Sequence, residues 1–256
     1  MDIDTRQETI LALLRSQGAV AVDELAQHFK LTAQTIRQDL RDLGQRGLLL
    51  RTHGGARRVE TVTNRDYSER RRHLAPEKEA IGRAAASLIP DNCSVILNIG
   101  TTTEQVARAL GGHHGLSIIS NNINIINQLS GSKAKDLIMV GGAVRPSDGA
   151  VVGEDAVEFI SRYKADYAVI GASALDPDGT VLDFDSREVS VARAILRNAR
   201  NRILVCDSSK FDKSAPIRIC DLADVDYFVT DHPPPAEFTS VANESKTKTF
   251  TVMDPS

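Results

Sequence analysis

The chain has 256 residues, of which 41% are hydrophobic and 25% are charged, and its formal net charge is −3. This composition is typical of a soluble globular protein with room for one large domain and one small domain. No apolar run approaches the roughly eighteen residues of a membrane span, and the amino terminus lacks a basic-then-apolar signal. We therefore expect a cytoplasmic protein that does not contact membranes.

Tryptophan is absent and aromatic residues make up only 4% of the chain. Proteins that bind single-stranded nucleic acid usually stack bases on aromatic side chains, so duplex DNA is the better candidate partner. The cysteines are Cys93, Cys206 and Cys220, which are far apart and lack metal-type spacing. We expect reduced thiols, and we predict no metal site and no cofactor.

The amino-terminal region shows three helical patterns. Residues 4–16, 22–29 and 32–46 each carry apolar residues at helical spacing, with Asp23 and Thr32 as predicted N-caps of the second and third helices. Only two residues separate those two helices. This is the spacing of a helix-turn-helix.

The third predicted helix has one apolar stripe and one polar face. Ile36, Leu40 and Leu43 lie four and three residues apart, so they share a stripe that can pack on a small core. The opposite face carries the predicted DNA contacts, which are Thr32, Gln34, Thr35, Arg37, Gln38 and Arg41.

A β-hairpin follows this helix in the predicted fold. Residues 48–52 and 57–59 flank a glycine-rich turn, a pattern that indicates the wing of a winged helix-turn-helix. From Lys30 to Arg58 the chain has seven Lys or Arg against two Asp, a local net charge of +5. This concentration favours phosphate contact over an ordinary solvated helix pair. The candidate wing contacts are Arg51, His53, Arg57 and Arg58.

Residues 60–76 have few apolar anchors, so we predict a linker there. It joins a DNA-binding domain at residues 1–59 to a second domain at residues 77–256. The basic run Arg70–Arg72 within this linker fits either a solvated face or a contact to DNA phosphates.

Helical and apolar strand patterns alternate in the second domain, which predicts an α/β fold with a largely parallel sheet. Polar or glycine-rich residues follow several of the predicted strands. Since the carboxyl ends of parallel strands converge on one crevice, we expect these residues to share a site. They are Gly100, Thr101, Thr102, Thr103, Asn121, Asn122, Gly141, Gly142, Gly171 and the run from Asp207 to Lys210.

The loop Gly100–Thr103 is the most informative of these segments. Gly100 allows a sharp backbone turn, and three hydroxyl groups lie where a helix begins with unpaired N–H groups. The arrangement suits a phosphate, although a capped helix start would show the same pattern. Neither GxxxxGK[ST] nor GxGxxG is present, so it is not a nucleotide-binding loop.

The run TAQTIRQDLRDLGQRGLLLRTHGGA resembles the signature of the DeoR family of bacterial repressors. The motifs IGTTT, SNN, VGGAVRPSDGAVVGE and DSSK resemble the effector domain of that family, and the likeness extends from about Thr5 to Pro235. It implies a winged helix-turn-helix followed by an α/β domain similar to sugar-phosphate isomerases, deaminases and coenzyme A transferases. It also implies that a small phosphorylated metabolite releases the repressor from double-stranded operator DNA.

Within the family, the combination of IGTTTE, RPSDGAVVGE, VLDFDSREV and TDHPPP implies glycerol 3-phosphate as the effector. Carried over by position, the resemblance implies that Gly100–Thr103 holds the phosphate and Lys210 supplies a cation. It further implies that Asn121 and Asn122 line the pocket and that Asp183 and Glu188 bond ligand hydroxyls. A surface or helix-cap role for these two carboxylates is the alternative.

Two positions depart from the family pattern. Gln38 stands where the family usually has a second Arg, and Asn98 stands where Asp usually precedes GTTT. The first removes a cation from the DNA-facing helix, so the operator sequence that this protein prefers cannot be inferred from its relatives. The second removes a carboxylate just before Gly100–Thr103, which we call the phosphate loop.

Two other functions compete with a ligand-responsive repressor. In one, Asp183, Asp185 or Glu188 is a general base and the protein is a sugar-phosphate enzyme tethered to DNA. The strand ends offer no clear carboxylate–histidine pair, so we predict no catalytic residue. In the other, the second domain only oligomerises, which predicts no effect of ligand on operator affinity. We expect a homodimer or homotetramer, because two winged domains can read a palindromic operator.

Overall fold

The computed structural model of the protein describes residues 3–17, 19–45, 49–52, 54–58 and 67–252. The chain divides into two compact units, Met1–Thr61 and Val62–Ser256. Residues 60–66 of the predicted linker lie outside the described residues.

The first unit is a winged helix-turn-helix, as predicted. Its elements are α1 (Ile3–Gln17), β1 (Ala19–Ala21), α2 (Val22–Phe29), α3 (Ala33–Gln45), β2 (Leu49–Thr52) and β3 (Gly55–Arg58). The strands form an antiparallel sheet in the order β1-β3-β2. Strand β1 was not predicted, because a strand of three residues is too short to show an alternating pattern.

The predicted apolar stripe of α3 is confirmed. Ile36, Leu40 and Leu43 are at most 1% exposed and share a core with Ile10 and Leu14 of α1. Full burial of such side chains contributes about 1.5–3 kcal/mol each. The stripe therefore fixes which face of α3 points outward.

Polar groups position α3 and α2 as well. The guanidinium of Arg6 in α1 donates to both carboxylate oxygens of Asp39 at 2.7 and 2.9 Å, and both residues are buried. The prediction that Asp23 caps α2 is wrong, since the helix begins one residue earlier and has no side-chain cap. Instead the N–H of Val22 donates to the carbonyl of Gly54 at 2.9 Å, which ties the start of α2 to the turn of the wing.

The second unit is an α/β domain with twelve strands and seven α-helices in its described residues. Its helices are α4 (Tyr67–Arg72), α5 (Ala75–Ser87), α6 (Thr101–Leu110), α7 (Ile123–Leu129), α8 (Glu154–Ser161), α9 (Ser186–Arg197) and α10 (Ala236–Ser245). Its main strands are β4 (Ser94–Leu97), β5 (Ser117–Ser120), β6 (Asp136–Met139), β9 (Ala165–Ile170), β12 (Ala199–Val205), β14 (Tyr227–Thr230) and β15 (Lys248–Thr251). Shorter or antiparallel strands are β7 (Val144–Arg145), β8 (Ala150–Val151), β10 (Ala174–Leu175), β11 (Thr180–Asp183) and β13 (Ile217–Asp221).

The seven main strands form one sheet in the order β15-β14-β12-β9-β4-β5-β6, and every neighbouring pair is parallel. The predicted parallel sheet is thus confirmed. From β4 the chain first adds β5 and β6 on one side and then returns to add β9 and β12 on the other. The carboxyl ends of β4 and β9 therefore flank a topological switch point, where open α/β sheets bind ligands.

Part of the predicted linker is helical. Residues 67–72 form α4, and α5 begins at Ala75, two residues before the start that the apolar pattern indicates. No side chain of α4 is buried. Apolar periodicity could not show this helix, because its contacts to the rest of the unit are polar.

Candidate functional site

The outward face of α3 carries the predicted DNA contacts. Gln34, Arg37, Gln38 and Arg41 are exposed, and Thr35 is half-buried. Arg41 donates to the Gln38 side-chain oxygen at 2.9 Å, and the Gln38 amide donates to Asp42 at 2.8 Å. These bonds hold Gln38 and Arg41 side by side on the exposed face of α3.

The turn before α3 is fixed by two local features. Lys30 ends α2 in the left-handed region, with φ of 55°, and the N–H of Leu31 donates to the carbonyl of Ala26. Thr32 caps α3 as predicted, since its Oγ1 accepts from the N–H of Thr35 at 3.2 Å. Thr32 and Thr35 also share a hydroxyl–hydroxyl bond of 2.9 Å. Together these features close the short turn of the helix-turn-helix.

The predicted wing arginines lie on the two strands of the hairpin, the edge strand β2 and the central strand β3. Arg51 is on β2, paired with Ala56, and Arg57 on β3 is paired with Leu50. Arg58 ends β3, and His53 lies outside the described residues. The backbone thus forms the hairpin that the sequence predicts.

A cleft opens in the second unit at the switch point between β4 and β9. Its empty volume is about 640 Å³, opening included. The strand ends provide Asn98, Ile99 and Gly100 after β4, and Gly171, Ala172 and Ser173 after β9. Thr101–Thr103, Asn122, Asp183, Glu188 and Lys210 line the same cleft. The structure therefore brings together most of the residues predicted to share a site.

The phosphate loop is at the start of α6. Gly100 has φ of 136°, a conformation that L side chains rarely adopt, and this bends the chain from β4 into the helix. The first intrahelical bond runs from the N–H of Glu104 to the carbonyl of Gly100. The N–H groups of Thr101, Thr102 and Thr103 precede that bond and lie at the positive end of the helix dipole. Such groups are available to bind an anion.

Two cations line the cleft. Lys210 follows β12 in a short 3-10 turn, Ser208–Lys210, and Arg70 comes from α4. Asp231, at the end of β14, holds this turn because its carboxylate accepts from the N–H of Ser208 at 2.6 Å and from its hydroxyl at 3.0 Å. Asp231 is fully buried. It was not predicted as a site residue, although it begins the motif DHPPP.

The cleft also carries buried carboxyl groups. Asp183 accepts from the hydroxyl of Ser173 at 2.9 Å and from the N–H of Phe184 at 2.7 Å. Burial raises the pKa of Asp183 above its ordinary value despite these bonds. Burial and the neighbouring charge of Asp183 raise the pKa of Glu188 to about 7, against the opposing effect of Arg145. Glu188 can therefore both accept and donate hydrogen bonds near neutral pH.

Arg145 connects three acidic side chains beside the cleft. Its guanidinium donates to Asp148 at 2.9 and 2.6 Å, to Asp185 at 3.2 Å, and to Glu188. Asp148 lines the cleft and sits in the turn between β7 and β8. Asp185 is also the N-cap of α9, since its carboxylate accepts from the N–H of Arg187 at 2.9 Å.

The departure at Asn98 has a structural consequence. Asn98 is 5% exposed, and its Oδ1 has no hydrogen-bond partner among the residues that the structure describes. A buried acceptor of this kind favours a ligand that brings a hydroxyl group. A carboxylate here would instead add negative charge next to the phosphate loop.

Six residues predicted to share the site do not line the cleft, namely Asn121, Gly141, Gly142, Asp207, Ser208 and Ser209. Asn121 is buried behind the cleft, where its amide donates to the carbonyl of Val151 at 3.0 Å and so holds β8. Gly141 and Gly142 are exposed after β6, which lies at the edge of the sheet. The carboxyl ends of the parallel strands share one edge of the sheet, but β6 is the outermost strand, and the glycines after it do not line the crevice.

Tyr67, Arg70, Asp148 and Ser173 line the cleft and were missed by sequence reasoning. The only signal for Arg70 was the basic run, which fitted a solvated face or DNA. Arg71 and Arg72 are exposed, so the run does not act as one unit. Within the described residues no cluster of His, Cys, Asp or Glu could hold a metal ion, and no helix is long and apolar enough to cross a membrane. Cys93, Cys206 and Cys220 are free thiols.

A winged helix-turn-helix followed by an α/β unit with a polar cleft is the architecture of two-domain transcriptional regulators, in which one domain binds DNA and the other binds a small ligand. The chain belongs to the DeoR family: the DeoR-like helix-turn-helix domain matches residues 6–62, and the DeoR C terminal sensor domain matches residues 74–232.

Curated relatives align along almost the whole chain. The glycerol-3-phosphate regulon repressor of Escherichia coli strain K12 is 39% identical over 93% of this chain and 95% of its own. Its namesake from Haemophilus influenzae is 39% identical over 95% and 94%. The HTH-type transcriptional repressor CsqR of Escherichia coli strain K12 is 36% identical over 94% and 92%. Among solved structures, eIF2B beta from Chaetomium thermophilum gives a TM-score of 0.48 at 17% identity, covering 71% of this chain and 58% of that chain.

Proposed function

We propose that the protein is a transcriptional repressor whose operator binding is relieved by glycerol 3-phosphate. The observation that carries the proposal is the composition of the cleft: helix N–H groups, Lys210 and Arg70 occur together with Asp183 and Glu188 in one cavity. A small phosphorylated polyol needs cations and N–H donors for its phosphate and carboxylates for its hydroxyls. The names of the two glycerol-3-phosphate regulon repressors support the same effector.

The same names support regulation rather than catalysis, since CsqR and the two closely matching relatives are all named repressors. In this function Thr101–Thr103 hold the phosphate with Lys210. Asp183, Glu188 and Asn98 bond the hydroxyl groups. Arg37 and Arg41 of α3, with the wing arginines, contact the operator.

A ligand can release DNA only if it has a higher affinity for the DNA-free conformation of the protein than for the DNA-binding conformation. The test is operator binding with and without glycerol 3-phosphate, using operator DNA that the protein selects from a random pool. Lys210→Ala removes a charge-assisted contact of about 1.5–3 kcal/mol, so effector affinity should fall about ten- to a hundredfold. Operator affinity without ligand should stay unchanged.

Thr102→Val should act in the same direction by removing a hydroxyl while keeping the shape of the side chain. A thermal-shift screen of three- to six-carbon phosphates identifies the effector independently. A wild type that glycerol 3-phosphate neither binds nor releases overturns that effector. A wild type that responds while both variants respond equally overturns the phosphate role of this loop and lysine.

A further inference from the structure

We propose that Arg70 and Tyr67 of α4 belong to the effector site, and that α4 transmits effector binding toward the DNA-binding unit. Arg70 binds the phosphate of the effector, and Tyr67 couples α4 to the rest of the cleft. This inference rests on the proposed function, since it assigns further residues to the same phosphate site.

Both residues line the same cleft as the phosphate loop. Arg70 adds a guanidinium to a site that already has Lys210 and the N-terminus of α6, and a guanidinium can bind two phosphate oxygens at once. The buried Oδ1 of Asn98 faces the same cleft as a second, independent sign of a ligand there. The cleft as a whole therefore suits a phosphorylated, hydroxyl-bearing ligand.

Tyr67 connects α4 to two other walls of the cleft. Its hydroxyl donates to the buried carboxylate of Glu104 at 2.7 Å, within the first turn of α6. Asn124 donates to the Tyr67 hydroxyl at 3.0 Å and to the carbonyl of Asp148 at 2.9 Å. Arg145 continues this network from Asp148 to Glu188. A ligand that contacts Thr101–Thr103 therefore acts on residues adjacent to Glu104, which is bonded to α4. One that contacts Glu188 is connected to α4 through Arg145, Asp148 and Asn124.

A buried lysine holds the other end of α4. The Nζ of Lys78 donates to the carbonyls of Arg70 and His73 at 2.6 and 2.7 Å and lies 3.8 Å from Asp207. Asp207 immediately precedes the turn that carries Lys210. One ammonium thus links the carboxyl end of α4 to the loop that brings the second cation.

Helix α4 is the first described element after the DNA-binding unit, so its contacts to the cleft can influence that unit. The first compact unit ends at Thr61 and α4 begins at Tyr67, so five residues separate them. No side chain of α4 is buried, so its position depends on polar contacts that a bound anion can strengthen or replace.

The experiment compares Arg70→Gln with Arg71→Gln and Arg72→Gln, which make the same charge change at exposed positions of the same helix. The full chain is titrated calorimetrically with glycerol 3-phosphate, and operator affinity is measured with and without it. Arg70→Gln should lose about ten- to a hundredfold in effector affinity and keep its operator affinity without ligand. The two control variants should bind effector like the wild type.

Tyr67→Phe separates binding from transmission. It should bind glycerol 3-phosphate within a few-fold of the wild type but need at least tenfold more of it to release the operator. An Arg70→Gln variant with wild-type effector affinity overturns the assignment of Arg70. Equal losses of operator affinity in all three arginine variants would assign the basic run to DNA phosphates instead. If Tyr67→Phe releases the operator like the wild type, α4 does not transmit the signal.

The outcome for the wild type separates this inference from the proposed function. If glycerol 3-phosphate does not bind the wild type but another phosphate from the thermal-shift panel does, the proposed effector is overturned. The effector affinities of the variants are then measured with that phosphate. If no member of the panel binds, both proposals are overturned.

Discussion

Glu188 lies close to a second buried carboxyl group, Asp183, and to the guanidinium of Arg145. Its side chain is 13% exposed. Arg145 alone would lower the pKa of Glu188, but burial and the charge of Asp183 outweigh that effect and raise it to about 7. Ionised Glu188 therefore lowers the free energy of unfolding relative to protonated Glu188.

We expect this cost to appear in the pH dependence of stability. The folded pKa is near 7 and the ordinary value is 4.5, so as pH falls from 8 to 5 the folded state takes up a proton before the unfolded state. The wild type should thus gain about 1–3 kcal/mol of unfolding free energy relative to Glu188→Gln, which cannot titrate. Thermal and urea unfolding across this range measures the difference.

The matched control is Glu158→Gln, because the side chain of Glu158 is 74% exposed. This variant gives the effect of removing one exposed carboxylate, against which the Glu188→Gln result is compared. A constant difference between the wild type and Glu188→Gln would mean that Glu188 keeps an ordinary pKa in the folded protein.

At the scale of elements, helix α3 presents Arg37 and Arg41 on the face opposite its buried stripe. We predict that Arg37→Ala and Arg41→Ala weaken operator binding. Loss of a phosphate contact should lower the salt slope by about one for every sequence, whereas loss of a guanine contact should cost roughly 1–3 kcal/mol at one base pair.

Operator titrations at several salt concentrations distinguish these two results. Arg162→Ala is the control, because Arg162 is an exposed arginine of the second unit. Wild-type affinity in both α3 variants would place DNA recognition on another element.

The hairpin of β7 and β8 is a second element that shapes the cleft, since its turn carries Asp148. Gly149 in that turn has φ of 74°, and a Cβ there would lie 2.5 Å from Cγ2 of Ile123 and 3.2 Å from Nδ2 of Asn124. Asn124 is the residue that joins this turn to Tyr67. Any side chain at position 149 should therefore displace the turn.

We predict that Gly149→Ala lowers both thermal stability and effector affinity. Gly131→Ala is a close control, because Gly131 also has positive φ, at 85°, but has nothing within 4 Å of its Cβ position. Each variant bears the backbone strain of about 1–2 kcal/mol, and only the first adds a steric clash. Equal unfolding temperatures and effector affinities for the two variants would contradict the prediction.

At the scale of the whole molecule, one small winged unit contacts too little DNA for the specificity that a genome requires. We predict an even-numbered assembly on a palindromic operator, with half-sites about one helical turn, or a multiple of it, apart. Analytical ultracentrifugation of the protein alone and on operator DNA measures this. A monomer in both conditions would contradict it.

The sequence by itself determined the elements whose causes are local. The stripe of Ile36, Leu40 and Leu43 predicted α3 because helix periodicity is fixed by covalent geometry. Alternating helices and apolar strands predicted the parallel sheet, since such strands require crossover helices. The loop Gly100–Thr103 predicted an anion site because helix N-termini carry unpaired N–H groups.

Only the tertiary structure decided which polar residues meet. Gly141 and Gly142 follow the edge strand β6, whereas Gly100 and Gly171 follow β4 and β9 at the switch point. Asn121 and Asn122 both follow β5, yet Asn122 lines the cleft while the amide of Asn121 donates to Val151. The segment with Arg70 has few apolar anchors, so its packing depends on hydrogen bonds to Lys78 in the next helix and to Glu104 in α6. Likewise, the raised pKa of Glu188 comes from burial, which depends on three-dimensional surroundings that no local sequence pattern encodes.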